Sequence, residues 1–148
     1  MTTYIKALAA CLLSIAMIGC TMQEQPTQSG LLRSNFQIEH MGMQTDLYTL
    51  TNDNGMEVCF TNFGGRIVSI LVPDRHGNML DVCLGHDSIA DYIRYGYQGC
   101  NFGALIGRYG NRIKEGRFTL DGVEYQLPRN NDGNCLHGGG EVAFHNRV

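Results

Sequence analysis

A strand-rich fold with tight corners is what this sequence predicts, and three observations predict it. Glycine occurs 19 times in 148 residues, roughly twice the usual ~7%, which points to many turns and few long helices. Apolar and polar residues alternate with period two through several short runs. Those runs are separated by turn clusters such as Asn52-Asp-Asn-Gly55, Asp74 to Asn78, and Asp121-Gly122. The balance of 11 Lys+Arg against 14 Asp+Glu, a formal charge of −3, shows none of the basic excess of a nucleic-acid binder. The mixed charges and 43% hydrophobic content exclude an acidic solvating tail. Only three prolines and no glycine period exclude a collagen-like chain.

The first stretch, Met1 to Cys20 (MTTYIKALAACLLSIAMIGC), has a positive residue, Lys6, followed by the apolar run Ala7 to Ile18. That run is shorter than the roughly 20 residues a spanning helix needs. Gly19-Cys20 closes it in the pattern of a lipoprotein signal. The expectation is therefore removal of residues 1–19 and a lipid on Cys20, which would hold the chain on a membrane surface of a bacterial envelope, facing the periplasm or the exterior. A plain secretory signal and a buried apolar helix are the alternatives. Residues 20–44 then read as a polar tether leading into the first strand, and residues 45–148 as one domain.

Within that domain each element has a local reason. Asp46 to Thr51 alternates. Met56 to Phe63 places Met56, Val58 and Phe60 on one face and Glu57, Cys59 and Thr61 on the other, as a half-buried strand does. Gly64-Gly65 supplies a corner or bulge. Arg66 to Val72 is a β-branched strand stopped by Pro73, and Met79 to Leu84 returns beside it after the Asp74–Asn78 turn. Ile89, Tyr92 and Ile93 lie at helical spacing behind Ser88, a candidate N-cap, which marks a short helix or helical turn. Phe102 to Ile106, bounded by glycines, reads as a buried strand. Arg117 to Leu127 is two alternating runs around Asp121-Gly122, a type I′ hairpin.

Six cysteines are present. Cys11 falls in the leader and Cys20 at the lipidation site. Cys59, Cys83, Cys100 and Cys135 read as buried free thiols, with one disulfide as an alternative in an exported protein. No cluster has the ligand spacing of a metal site.

Three groups of residues could carry chemistry. Gly103-Ala-Leu-Ile-Gly107-Arg108-Tyr-Gly110-Asn111-Arg112 lacks dinucleotide-fingerprint spacing and a following helix, so it does not read as a phosphate cradle. Its arginines and Asn111 form a set of donors suited to sugar hydroxyls, or else pair with carboxylates at a sheet edge. His137-Gly-Gly-Gly140 resembles an esterase oxyanion signature, but no Gly-x-Ser-x-Gly elbow accompanies it. His40, His76, His86 and His145 read as surface or structural histidines.

These blocks together resemble the aldose 1-epimerase (galactose mutarotase) family. The resemblance is carried by Asn62-Phe-Gly-Gly65-x-Ile67-x-Ser-Ile70, Pro73-Asp74, Asn101 to Ile113, Gly116-Arg-Phe118, Asp121-Gly122-x-x-Tyr125-x-Leu127, Asn130-Asn131, and Asn134-x-Leu136-His137-Gly138-Gly139. It implies an all-β, antiparallel β-supersandwich with a sugar cleft, of which only the N-terminal part is present. It also implies interconversion of the α and β anomers of free hexoses of glucose or galactose type, with no cofactor and no metal. A carboxylate base deprotonates the C1 hydroxyl and a histidine acid protonates the ring oxygen, so that the ring opens and recloses. Asn111 and Arg112 match the family's substrate-binding pair. His137 matches its first, sugar-contacting histidine, an auxiliary catalytic residue, while Arg108 reads as structural.

The family's proton-donating histidine, a substrate-binding aspartate and its glutamate base match no residue here. His145 is not expected to replace the acid. The expectation is an inactive fragment of the enzyme, with unpaired strand edges that favour aggregation. A non-catalytic carbohydrate-binding module is the alternative. A sugar-phosphate epimerase would need a further basic cluster that the composition does not offer.

Overall fold

The computed structural model describes residues 23–96 and 100–148. The expected leader, residues 1–19, and Cys20 lie outside the described residues. None of the described helices is long and apolar enough to cross a membrane.

Ten strands, one α-helix and five short 3-10 turns are present among the described residues. Strands β1 (Glu39–His40) and β2 (Met43–Gln44) form a small hairpin. A four-stranded antiparallel meander follows: β3 (Leu47–Thr51), β4 (Glu57–Thr61), β5 (Arg66–Pro73) and β6 (Met79–Asp81). Helix α1 (Ile89–Gly96) crosses to the second half. There β7 (Arg112–Ile113) pairs with β10 (Cys135–Leu136), and β8 (Arg117–Leu120) pairs with β9 (Val123–Gln126).

The all-β supersandwich expectation is corrected by this architecture, which is a mixed α and β fold with several separate sheets. The helix forms because its first turn is closed by reciprocal capping: the Asp91 amide donates to Ser88 Oγ at 3.1 Å, and that hydroxyl donates to the Asp91 carboxylate at 2.8 Å. Its Ile89 and Tyr92, three residues apart, are both fully buried. Burial of that face holds the helix, since eight residues are too few to be stable alone.

The core lies between one face of the meander, α1 and the segment before β1. It gathers Leu31, Phe36, Leu47, Cys59, Phe63, Val68, Ile89 and Tyr92. Leu31 and Phe36 come from the span expected as a tether. A short 3-10 turn, Arg33–Phe36, precedes β1 there. The bidentate Arg33–Asp46 ion pair ties that turn to the start of β3, and the Arg33 guanidinium holds the Asp46 carboxyl below the usual carboxylate range.

The period of β4 is as expected, but its fully buried face is the polar-looking one: Glu57, Cys59 and Thr61. Each has a partner that makes burial tolerable. Glu57 accepts the amides of Gln28 (3.2 Å) and Ser29 (3.1 Å), and the Thr61 hydroxyl accepts the Phe63 amide. On the other face Tyr48 stacks on Phe60, with ring centroids 5.3 Å apart. A bulge falls where Cys59 pairs with Ser69 and Phe60 with Ile67, skipping Val68. The extra residue lets Val68 and Ser69 both face inward.

Phe102–Ile106, expected as a buried strand, is an irregular and largely exposed segment. Gly103 (φ 64°) breaks the extended path, and a Cβ there would lie 2.1 Å from the Ile67 carbonyl oxygen, so only glycine lets this segment approach β5. The Asp121-Gly122 hairpin is as expected, with φ of 52° and 79° at the two turn residues. Cys59, Cys83, Cys100 and Cys135 are free thiols, the first and last buried.

Arg66 is the largest fully buried side chain. Its guanidinium lies against the rings of Phe63 (4.6 Å) and Tyr92 (5.1 Å). It donates to the Phe63 carbonyl, to the His145 carbonyl, and to Asn101 Oδ1 at 3.1 Å. No carboxylate among the described residues pairs with it. Burial lowers its pKa to about 10. At neutral pH it therefore remains a charged group inside the core.

Candidate functional site

The site is set by strand register. β7 and β10 pair Ile113 with Cys135 and Arg112 with Leu136. One step further, Asn111 and His137 stand opposite each other, although 26 residues separate them. The His137 amide donates to the Asn111 carbonyl at 2.9 Å. The Asn111 amide donates to His137 Nδ1, also at 2.9 Å. Both residues have left-handed backbone angles, φ 57° and 52°, which end the two strands and turn their side chains out of the ladder.

Asn111 and His137 line one open groove of about 1110 Å³. Its polar groups also include Arg108, Tyr109 and Arg147, and its apolar wall is formed chiefly by Leu105, Ile106, Phe118, Leu127 and Phe144. A few donors set against an apolar and aromatic wall is the composition of a small-molecule site. Among the described residues no Asp or Glu lines the groove. His137 also borders a second pocket of about 690 Å³, shared with Cys100, Asn101 and His145.

Arg112 stands beside the groove rather than in its lining. Its Nε donates to Asn131 Oδ1 at 2.7 Å and its Nη1 to Asn111 Oδ1 at 3.1 Å. It is thus held by amide oxygens, not by a carboxylate at a sheet edge, and it orients the Asn111 side chain. Arg108, expected as structural, is exposed and lines the groove.

The remaining histidines separate clearly. His76 is exposed in its turn. His40 meets the Phe63 ring edge-on. His86 packs among Tyr92, Tyr95 and Phe102. His145 lines the pocket adjoining His137. Its pKa lies below the ordinary value because burial disfavours the charged ring, with Arg66 and His137 adding to the effect. Tyr109 and Phe118, which lie within blocks that carry the resemblance, line the groove although neither is a candidate site residue in the sequence. Phe144 and Arg147, three residues apart, lie outside those blocks and reach the groove only in the fold.

This arrangement is a groove of fixed donors set against an apolar wall, carried on a mixed α and β framework. The aldose 1-epimerase family model matches residues 46–144, and the chain belongs to that family. A probable aldose 1-epimerase of Arthroderma benhamiae is 42% identical over 96 residues, covering 63% of this chain and 22% of that protein. The galactose mutarotase of Rattus norvegicus is 40% identical over 98 residues, covering 66% and 28%. Among solved structures, an aldose epimerase homologue from C. elegans superposes with a TM-score of 0.62 at 28% identity, over 70% of this chain and 30% of that one. The chain therefore spans about a quarter of the length of the curated relatives it matches.

Proposed function

We propose that this chain supplies the sugar-contacting part of an aldose 1-epimerase that interconverts the α and β anomers of a free hexose of glucose or galactose type. The observation that carries this reading is the Asn111–His137 pair at the rim of a groove that joins fixed donors to an apolar wall. Asn111 and His137 bind the sugar hydroxyls, Arg112 holds the Asn111 side chain from beside the groove and offers its remaining guanidinium N–H groups, and the apolar wall takes the C–H face of the ring. The chemistry is ring opening by a carboxylate base at the C1 hydroxyl and a histidine acid at the ring oxygen. Those two groups match no residue between Met1 and Val148.

Polarimetry tests this directly. A chimera that joins these 148 residues to the downstream part of a matched galactose mutarotase should accelerate the mutarotation of freshly dissolved α-glucose or α-galactose, and the 148 residues alone should not. Failure of the chimera to exceed buffer would remove the epimerase reading. A second reading, a sugar-binding module without catalysis, is favoured by a groove lining that holds no carboxylate among the described residues. It predicts hexose binding by the 148 residues and no mutarotation by either form.

We further propose that Cys20 carries the lipid anchor, which holds the sugar site on a membrane surface of a bacterial envelope, facing the periplasm or the exterior. Mass spectrometry of the exported protein should find acyl chains on Cys20 and none in Cys20→Ala.

A further inference from the structure

The β7–β10 ladder ends in an irregular pair. Residues facing each other in a hydrogen-bonded antiparallel pair normally exchange two N–H···O bonds. At Asn111 and His137 one of these is made, from the His137 amide to the Asn111 carbonyl. The other is diverted: the Asn111 amide donates to the imidazole Nδ1 at 2.9 Å. The left-handed backbone at both positions, φ 57° and 52°, turns this amide away from the facing carbonyl and onto the ring.

A backbone amide is only a donor, so the atom that receives it must offer a lone pair. In the neutral ring the proton must then sit on Nε2, because the hydrogen bond made by one ring nitrogen sets the state of the other. Nε2 donates to no protein group among the described residues, while the ring borders both the groove and the pocket beside it.

We infer that the Asn111 backbone amide locks His137 as the Nε2–H tautomer, so that the ring presents a fixed hydrogen-bond donor to an acceptor oxygen of the ligand. Asn111 is thereby a positioning residue through its main chain as well as a binding residue through its side chain. The ligand atom at Nε2 must carry a lone pair, as a sugar hydroxyl or ring oxygen does. Nδ1 cannot take a proton from the ligand without breaking the backbone bond. The sugar identity of the ligand rests on the epimerase reading; the tautomer does not.

The test is nitrogen NMR of the full chain labelled with ¹⁵N-histidine at mildly alkaline pH, in solution or by magic-angle spinning. The His137 signals are assigned by their loss in His137→Gln and, independently, by contact of Nδ1 with the Asn111 amide proton. The expected result is a pyridine-type Nδ1 without a bonded proton and a pyrrole-type, protonated Nε2. Asn111→Gly keeps both the amide and the left-handed angle, so the same signature persists although the side-chain contact with Arg112 is gone. A protonated Nδ1 in the parent chain, or loss of the signature in Asn111→Gly, overturns the inference. Added D-galactose should shift Nε2 and leave Nδ1 on its amide, whereas a shift confined to Nδ1 also overturns it. Polarimetry reads the epimerase function separately, so a failure of either is distinguishable from a failure of the other.

Discussion

The two halves of the molecule are built on opposite terms. The first, from Leu31 to α1, closes a core in which Phe36, Cys59, Ile89, Tyr92 and Arg66 are fully buried. The second, from Gly107 onward, holds the groove but almost no core of its own. All eight residues of β8 and β9 are exposed, although Phe118 and Tyr125 stack with ring centroids 5.1 Å apart. An isolated two-stranded hairpin is marginal in water. The stable half thus acts as foundation, and the binding half depends on a few ties to it: Gly64 N–H to the Arg147 carbonyl, Leu105 N–H to the Gly64 carbonyl, and the Arg66 fork. A binding site can be placed by hydrogen-bond register and braced from one side without a core beneath it.

Substitutions should separate the halves by size of effect. Phe63→Ala, which empties a fully buried position of the core, should cost about 3–5 kcal/mol in a urea titration. Arg66→Met keeps the bulk but removes the donors to Phe63, His145 and Asn101, and about 2–3 kcal/mol is expected. Its signature is faster hydrogen exchange at the Leu105 amide, with the β4 amides unchanged. If β4 exchanges equally fast, Arg66 belongs to the core rather than to the tie. Ser88→Ala removes the helix cap and should cost about 1 kcal/mol. Phe118→Ala in the hairpin should cost at most about 1 kcal/mol; a larger loss would show that the second half has a core after all.

The pH dependence sharpens the same contrast. His145 has a folded pKa below its ordinary 6.5, so the unfolded chain binds the proton more readily. Its contribution is complete above pH 6.5 and is lost as the pH falls below that value. A melting temperature that declines from pH 6.5 downward, with a flatter slope in His145→Gln, is the expected record. An unchanged slope would mean that the C-terminal segment is not packed as described.

Legibility in the sequence followed locality. The β8–β9 hairpin could be read from Asp121-Gly122 because two adjacent residues dictate that turn. The α1 segment is legible in Ser88, Ile89 and Tyr92, and the helix stands where they place it; it is the all-β fold class taken from the family resemblance that does not hold. Phe102–Ile106 was misread because an apolar run between glycines looks the same whether it is a strand or an irregular segment. The buried face of β4 was hidden because Glu57 and Thr61 look solvated until their partners at Gln28, Ser29 and Phe63 are known. Asn111 and His137 were named from the resemblance. That they touch depends on the register of β7 with β10, which no local pattern encodes.

The buried guanidinium also bears on how the chain is made. Arg66 reaches its carbonyl acceptor at His145 across a sequence separation of 79 residues. At ribosomal rates of about 5–20 residues per second, that acceptor follows Arg66 by roughly 4–16 s. Throughout that interval the nascent sheet carries a cation whose final partner has not been synthesised. The core around Phe63 and Tyr92 therefore cannot take its finished form strand by strand. It stays open until the segment around His145 has emerged, and that late segment closes it.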